Sequence, residues 1–157
     1  METKGQDALV ILKLYELRSE ALMRAARAWF FSMFAPKSGK EIVALLLSGE
    51  KQSALYRMVT SHWEAAASLV NNGAIDEKLF LEANTEHIFV FAKLQPFIAE
   101  AREIIGEPDY LLHLEQLVMR VPNVEKKLAN RRKMAERWTQ ANASLSEQAN
   151  ALSSEQE

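Results

Sequence analysis

Apolar residues recur every three or four positions along most of this 157-residue chain. Between Asp7 and Phe34 they stand at Val10, Leu14, Leu17, Ala21, Ala25, Ala28 and Trp29. This spacing places them on one face of an α-helix, and the same pattern continues through later segments. No alternation of apolar and polar residues typical of a strand accompanies it. The sequence therefore predicts an all-α fold.

Residues that begin or end helices divide this pattern into about six or seven helices. Pro36 ends a long N-terminal helix, and Ser38 with Glu41 forms a capping-box pattern that opens the next one. We expect helices over residues 7–34, 40–48, 50–70, 76–94, 96–105, 108–120 and 122–141. The result is a single compact domain at 1–141. Residues 142–157 contain little to bury, so we expect them to form a flexible C-terminal tail.

The segment "LVNNGAIDEKLFLE", residues 69–82, could be a calcium loop, the turn of a DNA-binding motif or a helical corner. A calcium loop aligned on Gly73 would have Val70 and Leu79 at ligand positions, where oxygen donors are required. The helix after the turn is mostly acidic, which would repel DNA phosphates. We therefore predict an antiparallel helical hairpin in which Gly73 ends one helix and Asp76 caps the next.

The composition and the short motifs exclude several classes of site. The chain has no cysteine, so thiol catalysis, disulfides and cysteine-based zinc sites are excluded. The sequence contains none of the HExxH, P-loop, Gly-x-Ser-x-Gly or dinucleotide-binding patterns. We therefore predict no catalytic residue, metal site or cofactor, which favours a protein that is not an enzyme.

The N-terminal segment indicates neither secretion nor membrane insertion. It lacks the basic region and the small-residue cleavage site of a signal peptide. Its apolar run is interrupted at Lys13 and Glu16, well short of the roughly 20 residues that a spanning helix needs. We expect a cytoplasmic protein without a transmembrane segment.

Three polar residues lie within the apolar stripes of the predicted helices: Arg18, His62 and His87. The two histidines are about equally far from the corner at Gly73. The predicted hairpin therefore places them at the same height on neighbouring antiparallel helices. One interpretation is a shared small-molecule or ion pocket, with a possible catalytic role. The alternative, which we favour, is that the histidines are hydrogen-bonded core residues and Arg18 extends outward to solvent.

The charges are unevenly distributed along the chain. Residues 76–115 contain nine acidic and three basic residues, whereas residues 125–138 contain six basic and two acidic residues. The basic helix, including Arg131, Arg132 and Lys133, could contact nucleic acid or an anionic membrane. We favour a solvated helix resting on the acidic segment, because its positive residues surround the helix instead of forming one stripe. We therefore expect no nucleic-acid partner and leave peripheral membrane contact open.

The segment "WFFSMF" is apolar on every side of its helix. Its aromatic residues Trp29, Phe30, Phe31 and Phe34 could form an exposed surface for a partner or a second copy. They could equally pack beneath the second helix, and we favour this core position.

Three segments carry a resemblance to a known family: "LYELRSEALMRAARAWF", "HWEAAASLVNNGAIDE" and "PFIAEAREIIGEPDYLLHLE". In this order they resemble small bacterial all-helical proteins described as a domain of unknown function, over roughly Leu12 to Val118. The resemblance implies an all-α domain, often membrane-tethered or cytoplasmic, and supplies no catalytic residues. Combined with the residue patterns, it favours a protein-binding or scaffolding module that contacts an unknown protein or associates with itself.

Overall fold

The computed structural model describes residues 2–154, and within that range it contains nine α-helices and no strand. The helices are α1 Glu2–Ser19, α2 Ala21–Ser32, α3 Gly39–Leu47, α4 Lys51–Asn71, α5 Glu77–Ala83, α6 Glu86–Leu94, α7 Ile98–Ile105, α8 Leu112–Met119 and α9 Val124–Ser154. The predicted all-α fold is confirmed.

The helix α4 lies at the centre of the fold and packs against α2 and α8. The long helix α9 lies along α6 and also contacts α2, while α3 packs against α7. The largest side chains in the core are fully buried: Trp63, Tyr56, Phe30, Phe80 and Phe91. Burying such aromatic side chains supplies much of the free energy that stabilises a domain of this size.

The helix ends that the sequence signals are found where expected. Ser38 accepts a hydrogen bond from the backbone N–H of Glu41, and Asp76 accepts one from Leu79. Gly73 adopts a φ of +74°, the left-handed conformation that glycine adopts without strain. Across this corner, the indole N–H of Trp63 on α4 reaches Glu86 on α6, so the predicted hairpin is confirmed.

Two of the predicted helices are each divided in two. The helix expected over 7–34 is interrupted at Glu20, where the backbone is extended at φ −64° and ψ 146°. The helix expected over 76–94 is interrupted at Asn84, which is extended at φ −135° and ψ 134°. Neither residue is glycine or proline, so local sequence did not predict the breaks. Both breaks lie where the two segments contact each other, for example through the hydrogen bond between Arg18 and Asn84.

The C-terminal segment differs in conformation from the expectation. Helix α9 continues to Ser154, so residues 142–154 are helical, and residues 155–157 lie outside the described range. Every residue from 143 to 154 is exposed, which agrees with the small number of apolar residues there. A domain boundary at residue 141 and flexibility beyond it stay predictions.

Within residues 2–154, no helix combines the length and the apolar character needed to cross a membrane.

Candidate functional site

The two unexpected helix breaks lie against each other, and Arg18 joins them. Its Nη2 donates to Asn84 Oδ1 at 3.3 Å, and its Nη1 donates to Glu86 Oε2 at 3.4 Å. The Nη1 of Arg27 in turn donates to the backbone carbonyl of Arg18, beside the break at Glu20. This last contact satisfies a backbone carbonyl at the end of α1, which would be costly to bury without a partner.

Glu86 is the centre of this cluster. Its carboxylate accepts from Arg27 Nε at 2.9 and 3.1 Å and from Arg27 Nη2 at 2.6 Å. It also accepts from Arg18 and from Trp63 Nε1, the latter at 3.3 Å. The side chains of Arg18 and Glu86 are only 12% and 13% exposed. The hydrogen bond to Glu86 raises the pKa of Arg27 above its usual value.

The cluster therefore contains two guanidinium groups and one carboxylate. Multiple hydrogen bonds of this kind offset the cost of burying the charges, and they hold α1, α2, α4 and α6 together. Glu86 is one of the acidic residues of the segment 76–115, and nothing in its local sequence indicates that it faces inward. It lies in the first turn of α6, shortly after the break at Asn84.

The three polar residues singled out in the sequence all lie around the ring of Trp63. The Arg18 guanidinium carbon is 5.0 Å from a Trp63 ring centroid, and the rings of His62 and His87 are at 4.8 and 5.7 Å. The indole of Trp63 is fully buried and is their common neighbour. Arg18 points into the cluster, so the expectation that it extends outward to solvent was wrong.

Burial, the largest cause, and the positive charge of Arg18 together lower the pKa of His62 to about 4. Burial and then the positive charges of Arg131 and Arg18 lower the pKa of His87 to about 4. With these pKa values both rings are neutral at pH 7. His87 is fully buried, and neither of its ring nitrogens has a hydrogen-bond partner among the residues described. The expectation of hydrogen-bonded core histidines was wrong, since His62 is only partly buried and its Nε2 also has no hydrogen-bond partner in the described part of the chain. His87 is a core residue, but it is held by aromatic packing against Trp63 and Phe80.

Helix α9 packs against α6, which lies within the acidic segment 76–115, but within residues 2–154 its basic residues make no ion pairs there. Arg131 lies over the ring of Phe89 at 5.9 Å, and Arg132 donates to the Ala92 carbonyl at 3.3 Å and to Gln95 Oε1 at 2.9 Å. Lys133 is exposed. In the described part of the chain, the acidic segment 76–115 forms its ion pairs with Arg18, Arg27, Lys78, Arg102 and Arg120. Ion pairing between α9 and that segment is therefore absent from this range.

The aromatic segment at the end of α2 lies mostly in the core. Phe30 is fully buried and Phe34 is 6% exposed, so these two rings cannot form the exposed partner surface that was one of our alternatives. Trp29 and Phe31 are partly buried and pack against the same core. These aromatic residues therefore belong to the core, the position that we favoured for them.

Lys93 is a buried charge that was not among the residues predicted from the sequence. Its Nζ donates to the backbone carbonyls of Phe30 and Phe34, both at 2.5 Å, and to that of Phe31 at 3.3 Å. These carbonyls lie at the C-terminal end of α2, where a cation is favourable. The sequence did contain a signal for this burial. The segment "HIFVFAKL", residues 87–94, is apolar except at His87 and Lys93, which is typical of a helix buried on all sides.

The described residues contain no group of three or more histidine, aspartate or glutamate side chains arranged to hold a metal ion. A family model described as Domain of unknown function (DUF4760) matches residues 4–121, which confirms the resemblance seen in the sequence. Searches of the curated proteins and of the solved structures find no significant match.

Proposed function

The chain belongs to the DUF4760 family, and we propose that it is a non-catalytic protein-binding module that associates with a second copy of itself. The proposed contact is the exposed C-terminal part of α9, residues 143–154. The observation that supports it is the exposure of two large apolar side chains there. Leu145 and Leu152 are each 66% exposed on a helix whose other residues in this part are small or polar.

The spacing of these leucines suits a helical pair. They are seven residues apart, which places them on the same side of the helix, and Ala149 lies between them on that side. Residues 143–154 contain one charged residue, Glu147, so two copies can approach each other with little repulsion. Electrostatics therefore permits the same surface to pair with itself.

The helical conformation of this segment also favours a partner. A short helix without tertiary packing is marginal in water, and serine and asparagine are poor helix formers. Residues 143–154 contain four serines and are exposed throughout. Packing the Leu145–Leu152 side against another helix would bury apolar area and stabilise the segment.

Sedimentation velocity of the full chain over a range of concentrations tests this proposal. We expect a dimer that becomes monomeric in the double variant Leu145→Glu, Leu152→Glu, because each copy would bring two carboxylates to the contact, four in all. Leu47→Glu is the matched control, since Leu47 is 73% exposed on α3, and it should leave the dimer intact. A monomer at every concentration, or a dimer that persists in the double variant, would contradict the proposal.

The proposal assigns the basic helix no role in nucleic-acid binding. Arg131 and Arg132 contact α6, and the remaining positive residues do not form a single stripe. Arg18, His62 and His87 act in this proposal as structural residues around Trp63. The cleft beside the cluster is lined by Arg27 and Glu86 but by none of these three.

A further inference from the structure

A cleft of about 260 Å³ opens between α2, α6 and α9, next to the buried cluster. It is lined by Arg27, Phe31, Thr85, Glu86, Phe89, Arg131 and Trp138. Small-molecule sites typically combine an apolar wall with a few polar groups at fixed positions, and this cleft has both.

The aromatic wall of the cleft is ordered by its own contacts. Trp138 stacks on Phe89 with a centroid distance of 4.9 Å and an interplanar angle of 8°. Phe31 meets Phe89 edge-on at 5.0 Å and Trp138 edge-on at 6.2 Å. Trp138 is nevertheless 45% exposed, so part of its indole is free to contact a further planar group.

The charges around the cleft do not cancel. Arg18 and Arg27 share the single carboxylate of Glu86. Arg131 has no carboxylate within 4.0 Å in the described part of the chain. Among the residues that line the cleft, Arg27 and Arg131 face the single carboxylate of Glu86, which leaves one positive charge in excess, although the whole chain has a formal charge of −2. Arg18, behind the cleft in the same cluster, adds a second positive charge. The positive field extends to His87, whose pKa is lowered by burial and then by Arg131.

We propose that this cleft binds a small aromatic anion, namely a planar ring that carries a phosphate group. The ring would lie against Phe31 and Trp138, and the phosphate would be bound by Arg131 and the hydroxyl of Thr85. A phosphate monoester carries nearly two negative charges at pH 7, the sign that the positive excess around the cleft favours. The planar guanidinium of Arg131 can bind two phosphate oxygens at once.

A second cleft supports this position for the phosphate. It shares Thr85 and Arg131 with the first cleft and adds Lys127 and Asn130. The anionic group would therefore lie where the two clefts meet, with a further cation and amide within the same groove. Thr85 is exposed and precedes α6 without capping it, so its hydroxyl remains available as a donor.

Phenyl phosphate is the probe, and the side-chain NMR signals of the three tryptophans in the full-length protein are the readout. The Trp138 indole signal is assigned with Trp138→Phe. We expect phenyl phosphate to shift this signal with half-saturation near or below about 1 mM, an affinity typical of weak small-ligand sites. Phenol, which lacks the charge, and inorganic phosphate, which lacks the ring, should each bind at least about tenfold more weakly.

Arg131→Gln should weaken phenyl phosphate binding by about tenfold or more, because it removes a charge-assisted contact. The matched control is Arg137→Gln, which changes an exposed arginine of the same helix that does not line the cleft. Unchanged Trp29 and Trp63 signals would show that each variant is folded. The proposal is overturned if the Trp138 signal does not shift, if either half of the probe binds as well as the whole, or if both variants bind alike.

Discussion

Glu86 and Lys93 lie at opposite ends of α6, and each places a charge in the interior of the molecule. Both charges suit the helix dipole, since the carboxylate is in the first turn and the ammonium is in the last. Their partners differ. Glu86 binds two guanidinium groups and an indole N–H, whereas Lys93 binds three backbone carbonyls at the end of α2.

The difference determines what each end of α6 depends on. At Glu86, every partner is a side chain on another helix, so the contacts require α1, α2 and α4 to be in place together. At Lys93, the partners are carbonyls that any sequence would supply, provided that α2 ends there. Burial lowers the pKa of Lys93 to about 8, so the ammonium is still charged at neutral pH. The first end is thus a charge cluster, and the second is a helix cap made by a distant lysine.

The largest effect is expected at Glu86. Glu86→Gln removes the only carboxylate that Arg18 and Arg27 contact in the described part of the chain, and it leaves two partly buried cations without a counter-charge. We expect the free energy of unfolding, measured with urea, to fall by about 2–4 kcal/mol, somewhat less than for a fully buried pair because Arg27 is 28% exposed. Glu82→Gln is the control, because Glu82 is exposed and pairs with Lys78 at 3.9 Å. Equal losses in the two variants would show that the cluster does not stabilise the fold.

A smaller effect is expected at the other end of α6. Lys93→Met keeps most of the aliphatic stem but removes the ammonium from the carbonyls of Phe30, Phe31 and Phe34. We expect a loss of about 2 kcal/mol in urea unfolding, the order of magnitude for buried acceptors left without a donor. Lys133→Met, on the exposed side of α9, should change stability little. If the Lys93→Met variant is as stable as this control, the hydrogen bonds from the ammonium to the carbonyls do not stabilise the fold.

Local sequence predicted those features of the fold that local chemistry determines. Ser38, Gly73 and Asp76 begin or end helices through their own side chains or backbone conformation, so their roles could be inferred from neighbouring residues. The breaks at Glu20 and Asn84 coincide with contacts between residues far apart in the chain, such as Arg18 with Asn84, which are 66 residues apart. Hydrophobic periodicity indicates which face of a helix is apolar, but it does not indicate contacts between distant segments.

The absence of long-range information from local sequence also explains which residues of the candidate site could be predicted. Arg18, His62 and His87 could be recognised because they are polar residues within apolar stripes, and the structure places all three around Trp63. Glu86 could not be recognised from the sequence, because it lies just after a helix break at Asn84 that the sequence did not predict. Arg27 was equally hidden, since its role depends on Glu86.

The central claim is that Glu86 and the arginines act as one unit, and a double-mutant cycle on Arg27 and Glu86 tests it most directly. The free energy of unfolding is measured for the parent, Arg27→Met, Glu86→Gln and the double variant. We predict that the double variant loses about 1–3 kcal/mol less than the sum of the single losses, because removing both charges leaves fewer buried groups unpaired. Losses that add within about 0.5 kcal/mol would contradict the account, since that is the behaviour of independent sites.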